Sequence, residues 1–193
     1  FGAMLVDSTT RWAGGTIERC LGVGVIVEGG SLQAKQLDVR QTWAGELGMA
    51  VLAYGMIIAG DATATTEQLS VSEVAGFGIV QDHANATHEK LQVKDNENVG
   101  LWLQASSATS SQPALSIDTS SAITNNKGGG IFALASGGIT ISDTVISNSR
   151  EKPIVSASGR AAVTMADGLQ VRISRARYSN RGSRASRPIA RCQ

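Results

Sequence analysis

The sequence predicts an all-β chain, a single-stranded parallel β-helix solenoid of about seven coils, and three observations predict it. A Gly followed by a short apolar run recurs along the chain. An apolar-x-apolar triplet follows each opening about 15 residues later. The middle residue of the triplet is polar in five of six cases (Asp38, Ser70, Gln92, Ser116 and Gln170, against Val145). Self-similarity at a period of ~20–50 residues marks a solenoid. Period-2 alternation marks strands with one face in a core and the other in water. A helix would separate residues i and i+2 onto different faces and would need apolar spacings of ~3 and ~4, which the chain lacks.

The first coil opens at Gly2-Ala3-Met4-Leu5-Val6, and Ile17, 15 residues on, fills its last triplet position. The second runs from Gly24-Val25-Ile26-Val27 to Leu37-Asp38-Val39, again 15 from Gly to last triplet residue. The third, from Gly48-Met49-Ala50-Val51-Leu52 to Leu69-Ser70-Val71, is the outlier at 23, with an apolar insertion at Tyr54-Gly55-Met56-Ile57-Ile58-Ala59-Gly60-Asp61. The fourth, Gly78-Ile79-Val80 to Leu91-Gln92-Val93, returns to 15. The fifth pairs Gly100-Leu101-Trp102-Leu103 with Leu115-Ser116-Ile117 at 17. The sixth pairs Gly130-Ile131-Phe132-Ala133-Leu134 with Thr144-Val145-Ile146 at 16, and Ile139-Thr140-Ile141 adds a third strand. Pro153-Ile154-Val155 opens the seventh, which ends at Leu169-Gln170-Val171. From triplet to next opening the gap is 7 in four cases, 9 from Val39 to Gly48 and 13 from Ile117 to Gly130.

Stacking at ~4.8 Å per coil predicts core ladders. One joins Val39, Val71, Val93, Ile117, Ile146 and Val171; the next joins Leu37, Leu69, Leu91 and Leu115. The opening Gly marks a corner where a Cβ would clash or φ is positive. Right-handed coiling is expected, because parallel crossovers are overwhelmingly right-handed.

With 42% hydrophobic residues the chain can bury one core, and 4% aromatics suit a narrow rod. No stretch reaches 18 apolar residues, so no membrane-spanning helix is expected. Phe1 stands directly on an opening Gly, so further coils are expected N-terminal to it in the parent chain. Charge divides the chain. Residues 1–171, the expected β-helix, hold ten cations and all sixteen acids, whereas residues 172–193 hold seven Arg and no acid. This tail reads as disordered or non-native sequence; nucleic acid or another polyanion is the partner it would take if functional. Cys20 and Cys192 lie six coil spacings apart, beyond the ~7 Å reach of a disulfide, so two free thiols are expected.

The repeat turns sequence distance into neighbourhood. Glu73 and Asp95 stand two residues after their triplets, with Glu97 two further on, and Asn96 and Asn98 add carbonyls. Such a density of oxygen ligands is what Ca²⁺ takes; a solvated polar turn is the competing reading. Lys94 and Asp118 stand one residue after theirs and are expected as vertical neighbours. They are either a surface ion pair or a base beside an acidic cluster, as elimination on a uronic-acid polymer needs. His83 and His88, with Asp82 and Glu89, could hold a metal, but their spacing matches no strong ligand pattern, and the competing reading is the fourth coil's turn.

The sixth coil, Gly129-Gly130-Ile131-Phe132-Ala133-Leu134-Ala135-Ser136-Gly137-Gly138-Ile139-Thr140-Ile141-Ser142-Asp143-Thr144-Val145-Ile146-Ser147-Asn148, carries the repeat most fully. Over residues 1–171 the chain resembles bacterial right-handed parallel β-helix proteins of the pectin-lyase-like class. That class includes pectate lyases, polygalacturonases, pectin methylesterases, phage tailspikes and surface proteins without known activity. The glycosidase signatures Asn-Thr-Asp, Asp-Asp, Gly-His-Gly and Arg-Ile-Lys are absent, and Arg172-Ile173-Ser174 is not the last of these. No catalytic residue is therefore carried over. The expectation is a noncatalytic segment of an extracellular or bacterial cell-surface protein, a stalk or a face that binds polysaccharide. The alternative is a fragment of a polysaccharide lyase or hydrolase acting on an acidic glycan through Lys94, Asp118, Glu73, Asp95 and Glu97.

Overall fold

Short alternating runs separated by single left-handed residues leave the chain no option but to turn every few residues, and the result is a three-sided coil. The computed structural model describes residues 1–47, 50–104, 114–118, 120–133, 138–147, 154–156, 170–174 and 177–179. Each coil contributes one strand to each of three parallel sheets, and each sheet has seven strands. The first sheet stacks Ala3–Val6, Val23–Glu28, Tyr54–Ala59, Phe77–Asp82, Val99–Gln104, Gly129–Ala133 and Ile154–Ser156. The second stacks Thr9–Trp12, Ser31–Lys35, Thr63–Glu67, Asn85–Glu89, Leu115–Asp118, Gly138–Ser142 and Gln170–Ser174. The third stacks Gly15–Glu18, Leu37–Arg40, Ser70–Ser72, Gln92–Lys94, Ser121–Thr124, Thr144–Ser147 and Arg177–Ser179.

The corner between the second and third sheets is one residue in αL conformation in every described coil from the second to the sixth: Gln36, Gln68, Lys90, Ser120 and Asp143, with φ between 44° and 60°. A second such column, Gln41, Glu73, Asp95 and Asn125, leaves the third sheet. Each costs about 1 kcal/mol for a residue with a Cβ, offset by the ladders that the turn brings into register. Val25, Met56, Ile79, Leu101 and Ile131 form one such ladder and Val39, Val71, Val93 and Ile123 another, all under 2% exposed. Full burial of one such side chain contributes roughly 1.5–3 kcal/mol.

The opening glycines face inward. A Cβ on Gly78 would lie 2.4 Å from the Gly100 carbonyl oxygen and 2.8 Å from Val93 Cγ1. Of the two reasons expected for these glycines, close approach is the operative one; none of Gly24, Gly55, Gly78 and Gly100 has positive φ. Beside them runs a buried amide pair. Asn96 Nδ2 donates to Asn126 Oδ1 at 2.8 Å, Asn126 Nδ2 donates to the Val93 carbonyl at 3.2 Å, and Asn96 Oδ1 accepts from the Val74 amide at 3.0 Å.

Three expectations shift in register. The third coil's first-sheet strand is Tyr54–Ala59, the stretch taken from sequence as an insertion. Its neighbours in register are Val25 and Ile79 on either side of Met56. The true insertion is an antiparallel hairpin, Gly45–Leu47 with Ala50–Leu52; Gly48 lies outside the described residues. In the fifth coil Leu115-Ser116-Ile117 belongs to the second sheet, where Ile117 pairs with His88 and Ile141. Ile123 and Ser121 take the places expected of Ile117 and Leu115 in the third. Val171 likewise joins the second sheet, opposite Ile139. The last described strands run past residue 171 into the Arg-rich segment; residues 180–193, with Cys192, lie outside the described residues. Cys20 is buried and free.

Candidate functional site

Three outer faces follow from three sheets, and they differ. On the second sheet the central outward column reads Arg11, Gln33, Thr65, Thr87, Ser116 and Thr140, all polar. Beside it Glu67 is bridged by Lys90 and Lys35, both at 3.2 Å, which hold its carboxyl below the usual carboxylate range. On the third sheet the outward column is polar from Thr16 through Gln92 and turns apolar at Ala122 and Val145.

The first sheet is different. Its central outward column reads Met4, Ile26, Ile57, Val80, Trp102 and Phe132, apolar in six successive coils, and Val155 takes the next register place. Met4 is 54% exposed and the other five are partly exposed. The aromatic residues form a continuous run. Tyr54 stacks on Phe77 at 5.7 Å between ring centroids, Phe77 meets Trp102 edge-on at 5.1 Å, and Trp102 lies 4.5 Å from Phe132. The Trp102 indole donates to Gln104 Oε1 at 2.9 Å, which fixes the ring, and burial pushes the Tyr54 phenol up. The next outward column is Val6, Glu28, Ala59, Asp82 and Gln104. Sequence reasoning placed a strand at these openings and drew the core ladders from the triplets alone, leaving the outward face of the opening runs unread. The signal that distinguishes them is that both alternating faces are apolar, the pattern of a strand covered on both sides, in a rod that has only one inside.

The residues singled out from sequence are placed as follows. Glu73 and Asp95 are vertical neighbours on the αL column, as stacking requires; Gln41 Nε2 donates to Glu73 at 3.1 Å and Asn125 Nδ2 to Asp95 at 3.1 Å. Glu97 is ion-paired with Lys127 instead of turning toward them. Asn96 points into the core and Asn98 Oδ1 accepts from the Val99 amide, so neither carbonyl is added to the carboxylates. Lys94 and Asp118 are not neighbours. Lys94 sits in the third sheet opposite Ser72 and Thr124, whereas Asp118 sits in the second opposite Glu89 and accepts from Ser142 Oγ. The reason is the register shift of the fifth coil. The two histidines also part: His83 turns a corner 2.6 Å from Asp82, and His88 lies in the core with Nδ1 2.8 Å from Thr66 Oγ1. Among the described residues no group of three His, Cys, Asp or Glu is placed to hold a metal ion.

Among the described residues no helix is long and apolar enough to cross a membrane. No curated protein and no solved structure matches the chain. The family described as a right-handed β-helix region matches residues 7–169, most of the chain, in agreement with three parallel sheets that each gain one strand per coil. The chain belongs to the right-handed β-helix family.

Proposed function

We propose that this chain is a noncatalytic β-helix rod of a secreted or cell-surface protein that holds an extended glycan along its side. The observation that carries this is the unbroken apolar column on the outer face of the first sheet, ending in Trp102 and Phe132, while the second sheet's outer column is polar throughout. A soluble rod keeps large apolar strips only where something covers them. An apolar column bordered by Glu28, Asp82 and Gln104 offers a sugar chain contact for its C–H faces and partners for its hydroxyls together. The lyase alternative draws no support from the geometry: Lys94 and Asp118 stand on different sheets. Binding of the full chain to a panel of insoluble and soluble polysaccharides tests the reading, with new reducing ends and unsaturated uronates followed in the same tubes. Retention by a polysaccharide without either product is expected. Release of either product would make the chain an enzyme, and retention by none would remove glycan binding.

A further inference from the structure

Among the described residues of the third, fourth and fifth coils, His88 is the one ionisable side chain that is buried. Its strand, Asn85–Glu89, presents Ala86 and His88 to the core, in register with Ala64 and Thr66 on one side and Leu115 and Ile117 on the other. The imidazole is therefore the strand's one large inner side chain. Its Nδ1 lies 2.8 Å from Thr66 Oγ1, while Nε2 has no partner; Gln81 Oε1, buried in the same coil, has none either. The strand hangs between two αL residues, His83 (φ 49°) and Lys90 (φ 54°). Such positions at the ends of an element absorb a change of backbone direction.

Protonation upsets this arrangement. An imidazolium carries two N–H donors. Thr66 Oγ1 can accept from one of them, but the donor at Nε2 has no acceptor and the charge has no counterion. The charged and titratable groups of the strands and corners packed around His88 are Glu67, Asp82, His83, Glu89, Lys90, Lys94 and Asp118, and all of them lie outside the buried core. Burial lowers the His88 pKa from 6.5 to about 4. The closed strand is thus favoured by the neutral form and loses that advantage as pH falls from 6.5 toward about 4. Lys90 and Lys35 hold the Glu67 carboxyl below the usual carboxylate range, so their bridges across the outer face keep their charge as His88 titrates. The coil's other two strands and its corner to the third sheet are anchored by Ile79, Leu91 and Val93, each fully buried.

We propose that strand Asn85–Glu89 is an acid-released flap: protonation of His88 swings it outward about His83 and Lys90 while the rest of the stack stays paired. The released flap leaves the facing edges of Thr63–Glu67 and Leu115–Asp118 unpaired, and unpaired edges take up other strands.

Hydrogen exchange of the full chain at pH 7 and pH 5, corrected for the intrinsic exchange rate at each pH, tests this. Protection of the Asn85–Glu89 amides is expected to fall about twentyfold between the two, as the two pKa values require. The Val23–Glu28 and Val99–Gln104 amides should hold within about twofold, as a local opening demands. Thr66→Val/His88→Leu should remove the fall, and His83→Gln should leave it intact. The wild-type pattern decides the matter even if the double variant does not fold. An equal fall in every strand would mean that the whole rod loosens, and would overturn the flap. Unchanged protection at Asn85–Glu89 would overturn it as well. A fall that survives Thr66→Val/His88→Leu, or that His83→Gln abolishes, would take the switch away from His88.

Discussion

At the scale of single residues the fold's least comfortable side chain is His88. It lies fully buried among aliphatic neighbours, between Thr66 above and Ile117 below, with one ring nitrogen bonded to Thr66 and Nε2 without a partner. Burial lowers its pKa from 6.5 to about 4. Because the folded value is depressed, the neutral form favours folding; that stability is complete above the unfolded pKa and is lost as pH falls toward about 4. The loss is about 2 kcal/mol by about pH 5. Thermal unfolding from about pH 7 to pH 5 should therefore show a steeper fall in Tm for the wild type than for Thr66→Val/His88→Leu. The double variant removes both partners of the hydrogen bond together, so it leaves no orphaned group. Parallel slopes would mean that His88 protonates in the folded state without penalty.

At the scale of strands, the third-sheet triplets were legible and the second-sheet strands mostly were not. Leu37-Asp38-Val39 and Leu91-Gln92-Val93 put large aliphatics on the inner face, which any hydrophobic alternation finds. The second-sheet strands of the second, third and fourth coils put Leu32 and Ala34, Ala64 and Thr66, and Ala86 and His88 inside, with Leu32 the one large aliphatic among them. Small and polar inner residues erase the pattern. When the second sheet finally reads as apolar, at Leu115-Ser116-Ile117, it is indistinguishable from the third-sheet signature that Ser121-Ala122-Ile123 fails to show. Register resolves the ambiguity. With Ile123 in its true place the gap to Gly130 is 7, matching Ile17 to Gly24, Val71 to Gly78, Val93 to Gly100 and Ile146 to Pro153. That constant gap fixes where each opening Gly sits, directly over the next coil's backbone. Gly78→Ala should thus cost about 3 kcal/mol or more, as overpacking against a carbonyl that cannot retreat without breaking the stack. Chemical denaturation measures it. A loss under about 0.5 kcal/mol would show that adjacent coils can slide apart locally, contrary to the ladder account.

At the scale of the whole molecule, the solenoid is one corner plan repeated, and the third coil tests how strictly the plan governs. In the fourth coil the chain leaves the third sheet through Val74-Ala75-Gly76 and enters the first at Phe77. In the third coil the same path is Thr42-Trp43, then the hairpin, then Ala53 and Tyr54. The equivalence is set by hydrogen bonds: the Ala75 amide donates to the Thr42 carbonyl at 2.8 Å, and the Phe77 amide to the Ala53 carbonyl at 2.9 Å. The two ends of the hairpin already meet. The Gly22 amide donates to the Trp43 carbonyl at 2.8 Å, and the Tyr54 amide donates to the Gly22 carbonyl at 2.8 Å, so both ends are bonded to one residue of the coil beneath. Residues 44–52 are thus an excursion from a corner that closes without them. In a stack whose stability sums over neighbouring coils, removing a loop outside the ladders should change stability by less than about 1 kcal/mol, and shortening the connection acts in favour of folding. Deleting residues 44–52 is expected to leave the circular dichroism spectrum unchanged and the melting temperature within a few degrees of the full chain. An aggregated or unfolded deletion variant would show instead that the hairpin holds the second and third coils together, and that coil-to-coil pairing is not sufficient at this corner.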